Sequence, residues 1–205
     1  MATRPGFYER NGKVRRRNAD FVWNSGFAVC QKQKNIDNLH KALGGRCLEV
    51  STKSRNELGR ALSAHNLRLD GYALETVYQS SKIFEKGGPY PDLLQIPAKA
   101  VKCDERLHCS GALVGFQYEG HIFGLNPKHC FYDYIYCKAV RQCLDAGQLQ
   151  ELLQFDYFTD IEFNPNKGIS TQAEAIVVVK ILLLQFGKIP DFTPEEFLDF
   201  YTQCI

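Results

Sequence analysis

No two cysteines in this chain are spaced as C-x-x-C. Its eight cysteines (Cys30, Cys47, Cys103, Cys109, Cys130, Cys137, Cys143 and Cys204) are scattered, whereas zinc sites generally show closer ligand spacing. The nearest approach to a ligand set is Cys103, His108 and Cys109, and its spacing is too weak to expect a metal. The G-x-G-x-x-G and P-loop patterns are missing, which disfavours the common nucleotide folds. No Ser–His or Cys–His pair carries a local signature of covalent catalysis. Long apolar runs are missing too. The closest, Ala175 to Phe186, is interrupted by Lys180 and Gln185 and reads as a buried helix rather than a membrane span. The opening residues, MATRPGFYERNG, have no signal-peptide apolar core. These absences predict a cytoplasmic protein with reduced thiols and no membrane association. Charge of one sign is scarce as well: the formal net charge is +2, so no global field draws in a polyanion. Nucleic acid would have to meet a local patch. The densest is Lys13, Arg15, Arg16 and Arg17, followed by Lys32 and Lys34, for which a solvated edge and a phosphate track are equally open readings.

What is present is an ordinary globular balance, with 44% hydrophobic and 23% charged residues over 205 positions. That length can bury a full core without disulfides or metals. Neither repeats nor low-complexity linkers divide it, so one domain over 1–205 is predicted, with 1–45 as an N-terminal strand/helix extension packed on it. Phe21 to Val29, aromatic and β-branched around Ser25-Gly26, reads as a strand pair or bulged strand. Lys34 to Leu43 has helical spacing and stops at Gly44-Gly45, and Cys47 to Thr52 suggests a short strand. Asp70-Gly71 and Glu119-Gly120 mark tight turns, the second inside a hairpin from Leu113 to Leu125. Helices are expected from Leu74 to Phe84, from Phe131 to Leu144 (closed by Gly147) and from Leu149 to Phe155. Thr171 and Glu174 form a capping box before the long apolar helix that Gly187 ends. Thr193-Pro194-Glu195-Glu196 opens the last helix. The fold class is α+β, helix-rich with a small antiparallel sheet.

Three stretches could carry chemistry. In LETVYQSSKIF (Leu74 to Phe84), helical spacing would align Glu75, Gln79 and Lys82 on one face over about two turns, with Val77 and Phe84 packing opposite. A solvated stripe is the plainer reading by periodicity. Against it stand the aromatics crowding both ends: Tyr72, Tyr78, Phe84 and Tyr90. In FDYFTDIEFNP (Phe155 to Pro165), a loop by virtue of Asn164-Pro165, carboxylates sit among aromatics. Such a setting raises a carboxyl pKa and suits an acid, although Asp160 could equally cap the following turn. The third stretch, Ser63-Ala64-His65-Asn66, offers small polar groups to a sugar or phosphate.

Taken in order, these stretches resemble the NADAR (YbiA-like) family. Its helix pattern, Glu-x-x-Tyr/Phe-Gln-x-x-Lys-x-Phe, is matched by Glu75, Tyr78, Gln79, Lys82 and Phe84. Its Leu-Ser-Asn-Phe loop corresponds to Leu62-Ser63-Ala64-His65, with the Asn and Phe replaced. Its Asp followed by an aromatic matches Asp160 and Phe163, and its Asn-x-Leu-Gly segment survives only as Ser170-Thr171-Gln172-Ala173. Four stretches, Phe27 to His40, Gln79 to Leu94 (QSSKIFEKGGPYPDLL), Arg106 to Phe116 (RLHCSGALVGF) and Tyr157 to Lys167 (YFTDIEFNPNK), are similar to NADAR antitoxins paired with DarT-type DNA ADP-ribosyltransferase toxins. The resemblance implies hydrolysis of the N-glycosidic bond between ADP-ribose and guanine in DNA, without cofactor or metal. It implies Glu75, Asp160 and Lys82 as catalytic groups, with Lys82 either pairing a phosphate or forming a Schiff base. Ser63, Asn66, Tyr78, Gln79, Tyr90 and Phe163 become candidate ligand contacts. Two other readings stay open: an N-glycosidase acting on small riboflavin-pathway intermediates, and a non-catalytic module that binds ADP-ribose or blocks a toxin.

Overall fold

In the computed structural model, which describes residues 1–163 and 172–205, the chain opens with a hairpin that its own turn dictates. Strands β1 (Ala2–Arg10) and β2 (Lys13–Phe21) pair antiparallel along their whole length. Asn11 and Gly12 between them have φ of 55° and 72°, the backbone that a two-residue hairpin turn needs and that Asn-Gly supplies most readily. The strand pair expected at Phe21–Val29 does not form. β2 ends at Phe21 and α1 (Val29–Leu43) begins earlier than its apolar spacing suggested. The connection is pinned instead of paired: the Asn24 backbone and amide N–H groups both donate to Asn35 Oδ1, at 2.6 and 3.1 Å. Arg4 and Lys32 hold the Trp23 ring at 5.4 and 5.8 Å.

Short elements follow: β3 (Cys47–Glu49), α2 (Glu57–Ala61), the hairpin β4 (Arg68–Leu69) and β5 (Tyr72–Ala73), α3 (Leu74–Ser80) and β6 (Lys82–Phe84). After two short 3-10 segments (Pro91–Gln95 and Val101–Cys103) come α4 (Arg106–Cys109), β7 (Leu113–Tyr118), β8 (His121–Phe123), α5 (Cys130–Cys143), α6 (Ala146–Leu153), β9 (Tyr157–Thr159), α7 (Gln172–Phe186) and α8 (Pro194–Cys204). Both turns read as tight ones from sequence have their first residue at positive φ, Asp70 at 52° and Glu119 at 49°. Gly147 lies inside α6, not after α5, because Asp145 and Gln148 form a capping box that starts a new helix there. The last helix opens with the expected Thr193 cap, which Glu196 extends into a capping box. The expected Thr171 cap and the Asn164-Pro165 loop lie outside the described residues.

The architecture is α+β. The main sheet runs β2-β1-β9-β3, antiparallel except for the parallel pair β3–β9, and β6-β7-β8 form a separate antiparallel sheet. α7 is apolar around most of its circumference, with Ala173, Ala175 to Val179 and Ile181 to Leu183 all buried. Such a helix must be enclosed, and it forms the axis of the core, packed by α5 and the main sheet. A second cluster (Ala19, Phe21, Ile36, Leu39, Leu43 and Ile161) fixes α1 against the sheet. No helix among the described residues is long and apolar enough to cross a membrane.

Candidate active site

The parallel pair β3–β9 aims two connections at one place. Ser51–Lys53 follow β3 and Asp160–Phe163 follow β9. Together with α3, the loop before β4, and the irregular segment carrying Lys99 and Lys102, they wall a cleft of about 1070 Å³. Glu75, Lys82, Asp160, Ser63, Asn66, Tyr78, Gln79 and Phe163 all line it. Tyr90 does not. Its ring packs on Phe84 and carries the Arg106 guanidinium at 4.7 Å, and its hydroxyl meets Ser110 Oγ at 2.7 Å.

α3 has no side-chain cap, so its first N–H groups need other acceptors. The preceding loop supplies them, Leu67 O for Leu74 N and Ala64 O for Glu75 N. The Ser63 loop and the start of the helix are therefore one rigid unit. Glu75 and Gln79 share a face, one turn apart, and Gln79 Nε2 donates to Glu75 Oε1 at 2.7 Å. Lys102 Nζ reaches the same oxygen at 3.2 Å. Glu75 is only 7% exposed, and two donors hold its carboxylate through one oxygen.

Lys82 reaches the cleft by another route than the helix model required. α3 ends at Ser80, and Lys82 is the first residue of β6. The cause is the Ser80-Ser81 pair, whose hydroxyls both donate to Val77 O, at 3.0 and 2.8 Å. Such side-chain bonds compete with helix continuation. The freed Ser81 carbonyl accepts from Gln117 N at 2.8 Å, and Lys82 pairs with Phe116 of β7. The amine then sits 5.1 Å over the Tyr78 ring. Burial holds its pKa below the ordinary lysine value, with the Glu75 carboxylate opposing and Lys102 reinforcing the shift. Tyr78 itself stacks on Phe116 and meets Tyr132 edge-on.

Asp160 does cap the following turn: its Oδ1 accepts from Glu162 N at 3.0 Å and Phe163 N at 3.2 Å. Burial raises its pKa even so, against these bonds and one from the Gln172 side chain. Gln172 Oε1 also accepts from Ala64 N at 2.8 Å, tying the Asp160 turn to the Ser63 loop. Sequence reasoning missed what lies beneath. Glu49, fully inside the protein, accepts from Ser51 Oγ, Thr159 Oγ1 and Ile161 N at 2.6, 2.7 and 2.9 Å. Its pKa is pushed up by burial first and by the neighbouring Asp160 charge second. His40 Nε2 meets Thr159 Oγ1 at 2.9 Å, and burial lowers the His40 pKa to about 4. This buried column fixes the turn that carries Asp160.

The sequence reading also passed over the cationic rim. Lys53, Lys99 and Lys102 line the cleft around His65, and all three help depress the His65 pKa, after burial as the main cause. Ser63 Oγ and His65 Nδ1, both in the wall, are buried without a hydrogen-bond partner among the described residues. Of the candidate metal set, His108 is committed to the Lys102 carbonyl at 2.7 Å. No group of three or more potential metal-ligating side chains is found among the described residues.

The cleft thus brings together the Glu75 carboxylate, the half-buried Lys82 amine and a rim of lysines within an α+β domain. The family model described as DarT1-associated NADAR antitoxin matches residues 2–204. The chain belongs to that family. No curated protein matches it significantly.

Proposed function

We propose that this protein is a hydrolase that removes ADP-ribose from guanine bases in DNA, serving as antitoxin to a DarT-type ADP-ribosyltransferase. The observation that carries this reading is the convergence of Glu75 and Lys82 in a single cleft rimmed by Lys53, Lys99 and Lys102. The volume admits both halves of a dinucleotide-like ligand. The rim suits a diphosphate, and the orphaned Ser63 and His65 atoms suit sugar or phosphate oxygens.

The chemistry follows from the groups present. Guanine-linked ADP-ribose is a glycosylamine. When its sugar ring opens, the C1–O bond breaks, the nitrogen proton passes to the ring oxygen, and a C=N bond forms to the base. Glu75, fixed by Gln79 and Lys102, is placed to move that proton. Lys82, with its pKa lowered by burial, supplies neutral amine. It adds to C1, expels the guanine amino group with its proton restored, and holds the sugar as its own imine. Water then adds to the imine and returns the aldehyde and the free amine, so one water is consumed overall. Asp160, partly buried with a raised pKa, is the second proton carrier. Tyr78, Tyr132 and Phe163 offer apolar surface to a base, and Gln79, Ser63 and Asn66 offer polar contacts.

The test is rescue in cells. Bacteria producing a guanine-directed DNA ADP-ribosyltransferase should grow when the wild-type protein is co-produced and stop when Glu75→Gln is. Equal protection by the two would mean that the protein neutralises the toxin without this chemistry.

A further inference from the structure

The β1–β2 hairpin has a face that the cleft does not use. In an antiparallel pair, opposed residues share a side of the sheet. The register sets Arg10 against Lys13, Tyr8 against Arg15 and Gly6 against Arg17, so four cations and one aromatic lie on one face. α1 covers only part of it. Its last residue, Leu43, rests on Gly6, where an added Cβ would lie 2.6 Å from Leu43 Cδ1. Arg17 Nη1 donates to the Leu43 carbonyl at 3.0 Å. Beyond that point the face is open, and Tyr8, Arg10, Asn11, Lys13 and Arg15 line a depression of about 460 Å³.

The charge there is uncompensated. Arg10, Lys13, Arg15 and Arg17 are exposed, and none forms an ion pair among the described residues. Glu9, the acid on β1, points to the opposite side and accepts from Gly12 N. Tyr8 meets Tyr157 edge-on at 5.3 Å, which braces its ring in the wall of the depression. Successive same-face residues of a strand are roughly 6.8 Å apart, about two nucleotide steps at 3.4 Å per step. Fixed cations at that interval beside a braced aromatic suit a strand of nucleic acid, whose phosphates pair with the cations and whose bases stack.

We infer that this open hairpin face is a docking surface for the phosphate backbone of a DNA strand, with Tyr8 as a stacking platform. The choice of DNA as the polyanion rests on the proposed function; the surface itself does not. Its position is also consistent with that function. β9 runs antiparallel to β1 with Phe7 opposite Phe158, so the Ala2 end of the hairpin lies toward Asp160 and the Arg10–Lys13 end points away. Five residues of strand rise separate the two levels, roughly 17 Å or about five nucleotides. Flanking DNA, rather than the modified base, would occupy the face.

The experiment is fluorescence anisotropy with an unmodified labelled oligonucleotide over a salt series, comparing wild type, Lys13→Gln/Arg15→Gln and a control, Lys86→Gln/Lys128→Gln, that removes two exposed charges elsewhere. The hairpin variant should bind at least tenfold more weakly near 0.1 M salt. Its slope of log K against log salt should be shallower by about 1.4 for a single strand or about 1.8 for a duplex. The control should bind as wild type does. Because the probe carries no ADP-ribose, this binding is read whether or not the protein proves to be a hydrolase. Unchanged binding by the hairpin variant, or an equal loss in the control, would overturn the assignment. So would tighter binding of an RNA of the same sequence through the same residues.

Discussion

Glu75→Gln separates chemistry from stability, because it removes a charge and leaves the local packing in place. The substitution keeps the shape of the side chain and its Oε1, so Gln79 Nε2, now 2.7 Å away, retains an acceptor. What is lost is the negative charge and the capacity to carry a proton. Lys102 loses its ion-pair partner, but Lys102 is itself exposed, and such pairs contribute about 0–1 kcal/mol. For a chain of this length 1 kcal/mol shifts Tm by about 2–4 °C, so the variant should melt within about 4 °C of wild type. One placed acid/base group contributes about 100-fold to 10,000-fold, which is about 3–5 kcal/mol of barrier at 1.36 kcal/mol per decade. The assay pairs a melting curve with single-turnover release of ADP-ribose from a modified oligonucleotide. A folded variant that turns over at the wild-type rate refutes the role of Glu75. A rate loss matched by a large fall in Tm would recast Glu75 as a structural residue.

Lys82→Arg should abolish turnover, because a guanidinium keeps the charge without nucleophilicity, and borohydride added to wild type with ADP-ribose should leave a mass adduct on Lys82; an active arginine variant with no adduct would return Lys82 to phosphate binding. Gly59→Ala should lower Tm clearly, since a Cβ there would lie 2.1 Å from Glu49 O and 2.4 Å from Ser54 Oγ, and overpacking of this kind costs about 1–3 kcal/mol; an unchanged melting curve would mean that α2 shifts freely. His40, with its folded pKa lowered to about 4 from 6.5, makes the unfolded state the better proton binder between those values, so its contribution is full above about pH 6.5 and is lost as pH falls toward 4. The effect is about 3 kcal/mol at most, at 1.36 kcal/mol per pKa unit, so denaturant titrations of His40→Gln should show a flatter acid limb than wild type, and parallel curves would dismiss the buried column. Activity should survive incubation with EDTA; loss restored by zinc or magnesium would point to a metal that the carboxylate–amine account omits.

Local chemistry determined what could be read from the sequence. The Glu75–Gln79 contact follows from helical spacing alone, and the Asp70-Gly71 and Glu119-Gly120 turns follow from backbone preference. Asn11-Gly12 carried the same signal for the first hairpin, but the aromatic run at Phe21–Val29 competed with it. That run turned out to be tied down by Asn35 and by cations on Trp23 rather than paired in a sheet. Helical spacing puts Lys82 beside Glu75 for the wrong physical reason: the helix stops at two serines, and a strand returns the amine to the same cleft. Tyr90 sits close to the helix in sequence, but the Gly87-Gly88-Pro89 turn carries it off to Phe84 and Arg106. Lys99 and Lys102 lie on a segment without periodicity, so no pattern could direct them to the cleft. Glu49 was hidden by its context, one acid in an apolar strand whose burial depends on Ser51, Thr159 and Ile161, the last two more than a hundred residues away in sequence.

Whether the protein releases ADP-ribose from guanine is decided by the identity of the products. Purified protein is incubated with a DNA oligonucleotide carrying one ADP-ribosylated guanine, and both products are quantified by chromatography with mass detection. Free ADP-ribose and oligonucleotide with unmodified guanine are expected in equal amounts, with no abasic site and no strand break. Intact modified DNA after prolonged incubation with folded protein, or ADP-ribose cleaved at its diphosphate, would contradict the proposed hydrolysis.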